Sequence, residues 1–283
     1  MCSWKHGPII SASNLKRYFK VRIEGDTFGE RINSFFRPSY RIVKALDGVS
    51  FTICQGESVG YIGLNGAGKS TTIKLLCGVL VPTSGEIRTL GKEPHKNRTA
   101  NANRIGLMMG QRTQLLWDLP VKESFVLLGK IYGLKPFDYK ANVEMLLDTL
   151  DITTLWDTPA RMLSLGQRMQ CDLALTFLHN PEIVFLDEPT IGLDVFARDN
   201  IRGFLNMMRT RGVTIFLASH DLDDLDAVTD RVILLHEGRI VFDGPKESLE
   251  ARVKERVTKA TGTTHSGMTL EEMVKQFYRN GEK

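Results

Sequence analysis

The stretch GLNGAGKST at residues 63–71 decides the fold. It comes after the apolar segment ESVGYIG and runs into the helical pattern KSTTIKLLCG, so a strand, a glycine-rich turn and a helix follow one another. Its spacing is G-x-x-x-x-G-K-[ST], in which glycines let backbone N–H groups wrap closely around phosphates. The N-terminus of the following helix adds partial positive charge. The sequence therefore predicts a phosphate-binding loop here.

The residues of this loop have distinct predicted roles. Lys69 can reach the β- and γ-phosphates of a nucleoside triphosphate, and the hydroxyl of Ser70 can bind Mg²⁺. A flexible turn with a merely solvated lysine is the alternative, and the flanking strand and helix argue against it. The predicted nucleotide-binding residues of the loop are Gly63, Asn65, Gly66, Ala67, Gly68, Lys69, Ser70 and Thr71.

A pair of acidic residues could supply the metal ligand and the general base that a phosphate-binding loop needs for hydrolysis. In IVFLDE (183–188), four apolar residues precede Asp187 and Glu188. Asp187, at the end of a buried strand, is well placed to hold Mg²⁺ directly or through water, and Glu188 can polarise an attacking water as a general base. Two acids at a strand end could instead begin a solvated loop. The phosphate-binding loop favours the catalytic interpretation.

Composition restricts the class of protein. The 283 residues are 42% hydrophobic and 25% charged, as in an ordinary soluble globular protein. The four cysteines are scattered without a CxxC pair, so we expect reduced thiols and neither a zinc site nor a disulfide framework. The net charge of +4 gives no argument for nucleic acid as a partner. No apolar run approaches the ~20 residues of a membrane span, so we expect any membrane-crossing part to be another chain.

The order of segments predicts an α/β protein. Strand-like segments alternate with helical ones, which favours a parallel-sheet core. IVFL is apolar without alternation, as in a parallel strand covered on both faces. Short β segments are predicted within 9–19 and 43–53, with a long insertion at about 22–42 between them. A tail at 246–283 includes a helix that starts with a Thr-x-x-Glu capping box, Thr269 to Glu272.

The order of motifs resembles the ATP-binding cassette (ABC) family. The phosphate-binding loop is followed by a glutamine in GLMMGQ, by LSLGQ (163–167), by the strand ending in Asp-Glu, and by a histidine in FLASHD. The resemblance implies a P-loop NTPase parallel-sheet core with an antiparallel β subdomain and an α-helical subdomain at about 112–180. It spans a nucleotide-binding domain at residues 9–245 and implies ATP and Mg²⁺ as ligands.

Several residues take roles from this resemblance that they would not have alone. Gln111 would touch the metal and the water and sense a membrane partner, and His220 would contact the γ-phosphate. Asp194 would cross to a second copy of the chain. The family stacks adenine on an aromatic residue after the first strand; Phe19 is the first choice, Tyr18 the second and Tyr40 the third.

The LSLGQ motif implies a shared site. In the family this motif of one subunit lies over ATP bound to the other, so Ser164, Gly166 and Gln167 would meet a γ-phosphate of the partner. Small residues at a helix N-terminus permit close approach and leave N–H groups free for the anion. Leu165 stands where the family usually has glycine. We expect an active site in a homodimer, and slower turnover is the alternative that Leu165 leaves open.

Three classes of function compete. A P-loop kinase or GTPase has no use for LSxGQ, and the Asn-Lys-x-Asp guanine signature is absent from the sequence. A soluble single-cassette ABC ATPase in an assembly process remains as the alternative to a transporter subunit. The insertion and GQRTQLLWDLP (110–120) resemble bacterial cassettes paired with six-helix exporter permeases. That resemblance implies export, through integral membrane permease subunits, at the cytoplasmic face of the membrane.

The predicted permease contact lies beside Gln111. Leu115, Leu116 and Trp117 form a consecutive apolar run after this glutamine. Core burial could explain one or two of them, whereas three inward-pointing residues are hard to place in a loop. We therefore expect the run to belong to an exposed docking surface.

Overall fold

The computed structural model describes residues 7–22, 40–110 and 112–249. Gln111, most of the predicted insertion and all but the first few residues of the tail lie outside the described residues. The strands are β1 (Ile10–Arg22), β2 (Tyr40–Ile53), β3 (Ser58–Gly63), β4 (Ser84–Thr89), β5 (Ile105–Met109), β6 (Ile183–Asp187), β7 (Thr214–Ser219), β8 (Arg231–His236) and β9 (Arg239–Pro245). The helices are α1 (Lys69–Leu76), α2 (Arg98–Ala102), α3 (Val121–Ile131), α4 (Pro136–Thr149), α5 (Leu165–Phe177), α6 (Val195–Thr210) and α7 (Leu222–Val228).

A six-stranded sheet forms the centre of the molecule, in the order β5-β6-β7-β3-β8-β9. The pairs from β5 to β8 are parallel, and β9 returns antiparallel to β8. The turn between β8 and β9 places Glu237 at φ 45° and Gly238 at φ 74°, as a two-residue hairpin turn of the favoured hand requires. The parallel-sheet α/β core predicted from the sequence is confirmed.

A second sheet is antiparallel, with the order β2-β1-β4. It packs on the central sheet through aromatic rings: the centroid of Phe51 lies 6.1 Å from that of Tyr61 and 6.3 Å from that of Phe216. This sheet confirms the predicted antiparallel subdomain. Its two long strands also correct one boundary, because Arg22 and Tyr40–Ile42 are paired strand residues and not part of an inserted loop.

The predicted helical subdomain is built from α3, α4 and α5. Phe125 of α3 packs edge-on against Trp156, with 5.0 Å between ring centroids. From Met169 to Phe177, α5 is buried, since it lies between the other two helices and the central sheet. This one helix therefore joins the helical subdomain to the strands that position the site.

The cysteines differ from expectation at one position. Cys77 and Cys171 are free, and burial raises the pKa of the Cys171 thiol to about 12. Cys54 is disulfide-bonded, so the expectation of reduced thiols is wrong there. Within the described ranges, no helix combines the length and the apolar character needed to cross a membrane.

Candidate active site

The glycine-rich loop connects β3 to α1 and has the conformation its sequence predicts. Gly66 and Gly68 have φ values of 82° and 113°, in the left-handed region that favours glycine. A Cβ atom at Gly68 would also overlap the carbonyl oxygen of Ala45. Gly68 is the N-cap of α1, and Lys69 is its first residue. The loop can therefore present backbone N–H groups and the helix N-terminus to an anion.

A cavity of about 620 Å³ lies over this loop. Such a volume falls within the usual range for sites of small ligands. It is bounded by the carboxyl ends of parallel strands, where ligands of open α/β sheets bind. The structure brings together the predicted residues Asn65, Gly66, Gly68, Lys69, Ser70, Thr71, Asp187, Glu188 and His220 as its lining. Gly63 and Ala67 shape the loop without lining the cavity.

Lys69 and Glu188 form the charged centre of the cavity. The Lys69 ammonium group donates to the carbonyl oxygen of Gly63 at 2.7 Å and lies 3.5 Å from Glu188 Oε1. Glu188 Oε2 lies 2.8 Å from His220 Nδ1 and accepts from the hydroxyl of Ser219 at 3.2 Å. Glu188 has φ 56°, a strained conformation for a residue with a side chain and one that occurs often at functional sites.

Asp187 has the features of a cation ligand. Its carboxylate is buried, and Oδ1 has no hydrogen-bond partner among the described residues. Burial raises the pKa of this carboxyl, whereas a hydrogen bond with the Ser70 side chain lowers it. A buried, unpartnered carboxylate oxygen beside a hydroxyl suits a hard divalent cation, which prefers oxygen ligands.

The LSLGQ motif begins α5. The hydroxyl of Ser164 accepts from the N–H of Gln167 at 3.2 Å, and the Gln167 amide oxygen accepts from the N–H of Ser164 at 2.9 Å. This reciprocal pair is a capping box. Ser164, Gly166 and Gln167 do not line the described cavity of their own chain. The motif therefore lies apart from the phosphate-binding loop that precedes it in the sequence.

Asp194 has a similar place at the next helix. It is the N-cap of α6, and its carboxylate accepts from the N–H of Ala197 at 2.9 Å. The residue is exposed and does not line the cavity. Like the LSLGQ motif, it is presented at the surface.

The predicted adenine-stacking residues lie outside the cavity lining. Tyr18 donates its hydroxyl to Asp47 at 2.5 Å, and this bond together with Arg239 lowers the pKa of Asp47 to about 2. Phe19 lies under the guanidinium group of Arg17, 4.6 Å from its ring centroid. Tyr40 is exposed at the start of β2. The choice among the three aromatic residues stays a prediction.

A buried polar contact near Glu188 was missed by the sequence analysis. Asp224 on α7 is buried. Its carboxylate accepts hydrogen bonds from the hydroxyl of Thr190 and from Nε of Arg202 on α6, the latter at 2.8 Å. The contact fixes the segment after Glu188 between two helices. Its three residues are far apart in sequence, and none belongs to a short motif, so no local pattern indicated it.

The comparisons with known proteins agree with this geometry. Residues 46–191 match the family described as ABC transporter. The chain is 33% identical over 214 residues to the ABC transporter ATP-binding protein NatA of Bacillus subtilis, which covers 76% of this chain and 87% of the relative. It is 35% identical over 223 residues to the cobalt import ATP-binding protein CbiO of Rhodobacter capsulatus. This match covers 78% of this chain and 79% of the relative.

A solved structure of an ATP-binding subunit of an ABC transporter superposes with a TM-score of 0.74, at 24% identity, over 95% of this chain and 99% of that one. At this identity the likeness shows the fold. The chain belongs to the ABC transporter family. It is an ATP-binding subunit with ATPase activity.

A substitution at Gly110 tests whether hydrolysis depends on the exact position of the Asp187–Glu188 backbone. Its N–H donates to the carbonyl of Asp187 at 2.8 Å, and a Cβ atom there would overlap the carbonyl oxygen of Glu188. Gly110→Ala should displace the Asp187–Glu188 backbone and slow ATP hydrolysis on the order of 10²-fold, as a misplacement of about 1 Å can do. Nucleotide affinity through the loop should change little.

Steady-state ATPase assays and nucleotide titrations measure the two effects. Gly203→Ala on α6 is the matched control, since a Cβ there meets nothing within 4 Å. Normal turnover in Gly110→Ala would show that the acidic pair tolerates this displacement.

Proposed function

We propose that this chain powers export through separate integral membrane permease subunits, by binding and hydrolysing ATP as a head-to-tail homodimer at the cytoplasmic face of the membrane. The observation that carries the proposal is the arrangement of two surfaces. One is a cavity that contains the phosphate-binding loop, Asp187, Glu188 and His220. The other is the exposed N-terminal end of α5, which bears Ser164 and Gly166 away from that cavity.

Within the cavity, the residues divide the chemistry of ATP hydrolysis. The loop N–H groups and Lys69 would hold the phosphates, as in other P-loop NTPases. Glu188 would accept a proton from the attacking water, and His220, at 2.8 Å, would orient this carboxylate and contact the γ-phosphate. Mg²⁺, held by Ser70 and Asp187, neutralises charge on the β- and γ-phosphate oxygens when bound. Gln111, outside the described residues, is proposed as a further ligand.

The dimer would complete the site from the other side. Ser164, Gly166, Gln167 and Asp194 are proposed to meet the ATP bound to the second copy. Val195 and Phe196 beside Asp194 are exposed apolar side chains, and such a patch favours a surface that becomes covered. Leu165 is exposed on the same side and approaches Gly192. A head-to-tail partner would cover these residues together.

The permease would contact the helical subdomain, although not as the apolar run predicts. Leu115 is 5% exposed and belongs to the core, so its assignment to the docking surface is wrong. Leu116 is partly buried, and Trp117 is 49% exposed. The exposed apolar residues of this stretch and of α3 define the docking face: Trp117, Leu119, Val126, Leu127 and Ile131. This face is the proposed contact with the permease.

The direction of transport rests on sequence resemblance. The insertion and GQRTQLLWDLP resemble cassettes of exporters. The names of the relatives do not indicate one direction of transport, since one of them is named for cobalt import. A soluble single-cassette ATPase in an assembly process is the second candidate, and copurification with a membrane protein separates the two.

Glu188→Gln tests the general base. The variant keeps the shape of the side chain but cannot accept the proton, so hydrolysis should fall by roughly 10²–10⁴-fold while ATP still binds. The variant should accumulate as an ATP-bound dimer on a sizing column. Lys69→Ala is the contrasting variant. It removes the positive charge that would contact the phosphates, so it should lose nucleotide affinity instead. Near-normal hydrolysis by Glu188→Gln would falsify the base assignment.

Mixing two inactive subunits tests the shared site. One subunit carries Ser164→Arg, which blocks the motif that faces the partner, and the other carries Lys69→Ala, which disables the phosphate-binding loop. Each variant alone should be inactive, because both of its sites contain a lesion. A mixed dimer has one site with an intact loop and an intact motif, so ATPase activity should return on mixing. Full activity of either variant alone, or none after mixing, would contradict the composite site.

Introducing negative charge into the apolar docking face tests the permease contact. Leu127 and Ile131 are exposed one turn apart on α3, so Leu127→Asp with Ile131→Asp should leave ATP binding intact. Copurification with a membrane protein and transport should both be lost. Val21→Asp, at an exposed apolar position of β1, is the control. Unchanged copurification would place the permease elsewhere, and a wild-type chain that brings down no membrane protein would favour the assembly ATPase.

A further inference from the structure

One face of α5 is attached to the segment that follows Gln111. Arg168, Asp172 and Thr176 are four residues apart and therefore lie on the same side of the helix. We call these three residues the α5 ladder and residues 113–117 the bridging segment. Each member of the ladder contacts this segment, so the helix and the segment are fixed to each other along two turns.

The individual contacts are specific. The Arg168 guanidinium lies 5.2 Å from the centroid of the Trp117 ring. Asp172 Oδ1 accepts from the backbone N–H of Gln114 at 2.7 Å. The Thr176 hydroxyl accepts from the Gln114 side-chain amide at 3.0 Å. Charge, carboxylate and hydroxyl each have a partner on the same short stretch of chain.

Asp172 is the centre of this attachment and an unusual residue for its place. It is 3% exposed, and burial raises the pKa of its carboxyl to about 6. The hydroxyl of Thr113, the N–H groups of Gln114 and Leu115 and the charge of Arg168 lower that pKa and so favour the carboxylate. A buried carboxylate costs free energy unless it is hydrogen-bonded. An apolar side chain would fill the position at less cost, so packing does not account for Asp172.

The position of the bridging segment gives this attachment a consequence. At one end, the segment follows directly on Arg112, which lines the nucleotide cavity and whose N–H donates to the carbonyl of Met109 at 2.8 Å. At the other end, Trp117 belongs to the docking face. The helix that carries the ladder begins at Leu165, directly after Ser164. Asp172 lies eight residues from Ser164, about 12 Å along the helix axis.

We propose that Asp172 is a positioning residue that holds the bridging segment on α5, so that a displacement of the docking face moves Ser164 relative to the ATP bound by the second copy. The proposal rests on the proposed function, because it requires both the permease and the composite site. Without the carboxylate, the bridging segment would shift while α5 stays in place. The permease would then contact the chain without changing its turnover.

The test compares ATPase activity of the isolated full chain with that of its complex with the permease. Asp172→Asn keeps the side-chain shape but replaces one acceptor oxygen with a donor, and Thr176→Val removes only the hydroxyl that binds Gln114. Both variants should show basal kcat and KM close to wild type in the isolated chain. The change in kcat that the permease produces should shrink by between about 2-fold and 30-fold. Transport per ATP hydrolysed should fall with it.

Several outcomes would overturn the proposal. Equal losses in the isolated chain and the complex would mean that Asp172 acts only in folding, and no loss in either would mean that the segment transmits nothing. Thr176→Val keeps the test decisive if Asp172→Asn does not fold. Gln170→Leu, at a buried polar position of α5 outside the ladder, is the matched control and should leave the permease effect unchanged. A wild-type complex without any permease effect on turnover would contradict the proposed function first, and with it the role of Asp172.

Discussion

The rest of the site depends on a buried positive charge. Lys69 is only 7% exposed, and a buried ammonium group is costly unless it is paired and hydrogen-bonded. Its partners are the carbonyl of Gly63, at the end of β3, and the carboxylate of Glu188, directly after β6. Glu188 is in turn held by His220 and Ser219 at the end of β7. One cation therefore requires three neighbouring strands to end at the same edge in a fixed register.

Part of the molecule follows from local patterns. The phosphate-binding loop, the acidic pair after β6 and the start of α5 each depend on a few consecutive residues, because glycine φ angles, apolar runs and capping boxes are local properties. The parallel core also follows, since an apolar run such as IVFL must be covered on both faces. These are the features of fold and site that the sequence alone could predict.

What could not be predicted depends on contacts distant in sequence. Leu115 is in the core because the helical subdomain packs over it, which no pattern in GQRTQLLWDLP indicates. The ends of the expected insertion are strand residues because β1 and β2 pair with each other as far as Arg22 and Tyr40. The contact of Asp224 with Thr190 and Arg202, and the ladder on α5, likewise join residues from separate elements.

The conformation of Glu188 has a consequence for the evolution of such a subunit. A φ of 56° is easy for glycine but costs free energy, of order 1–3 kcal/mol, for a residue with a side chain. The protein keeps that cost because only a carboxylate at this point faces both Lys69 and His220. A glycine at this position would relieve the strain, but it would also leave the buried Lys69 ammonium group without its carboxylate partner, so stability and hydrolysis both keep the acid at this position.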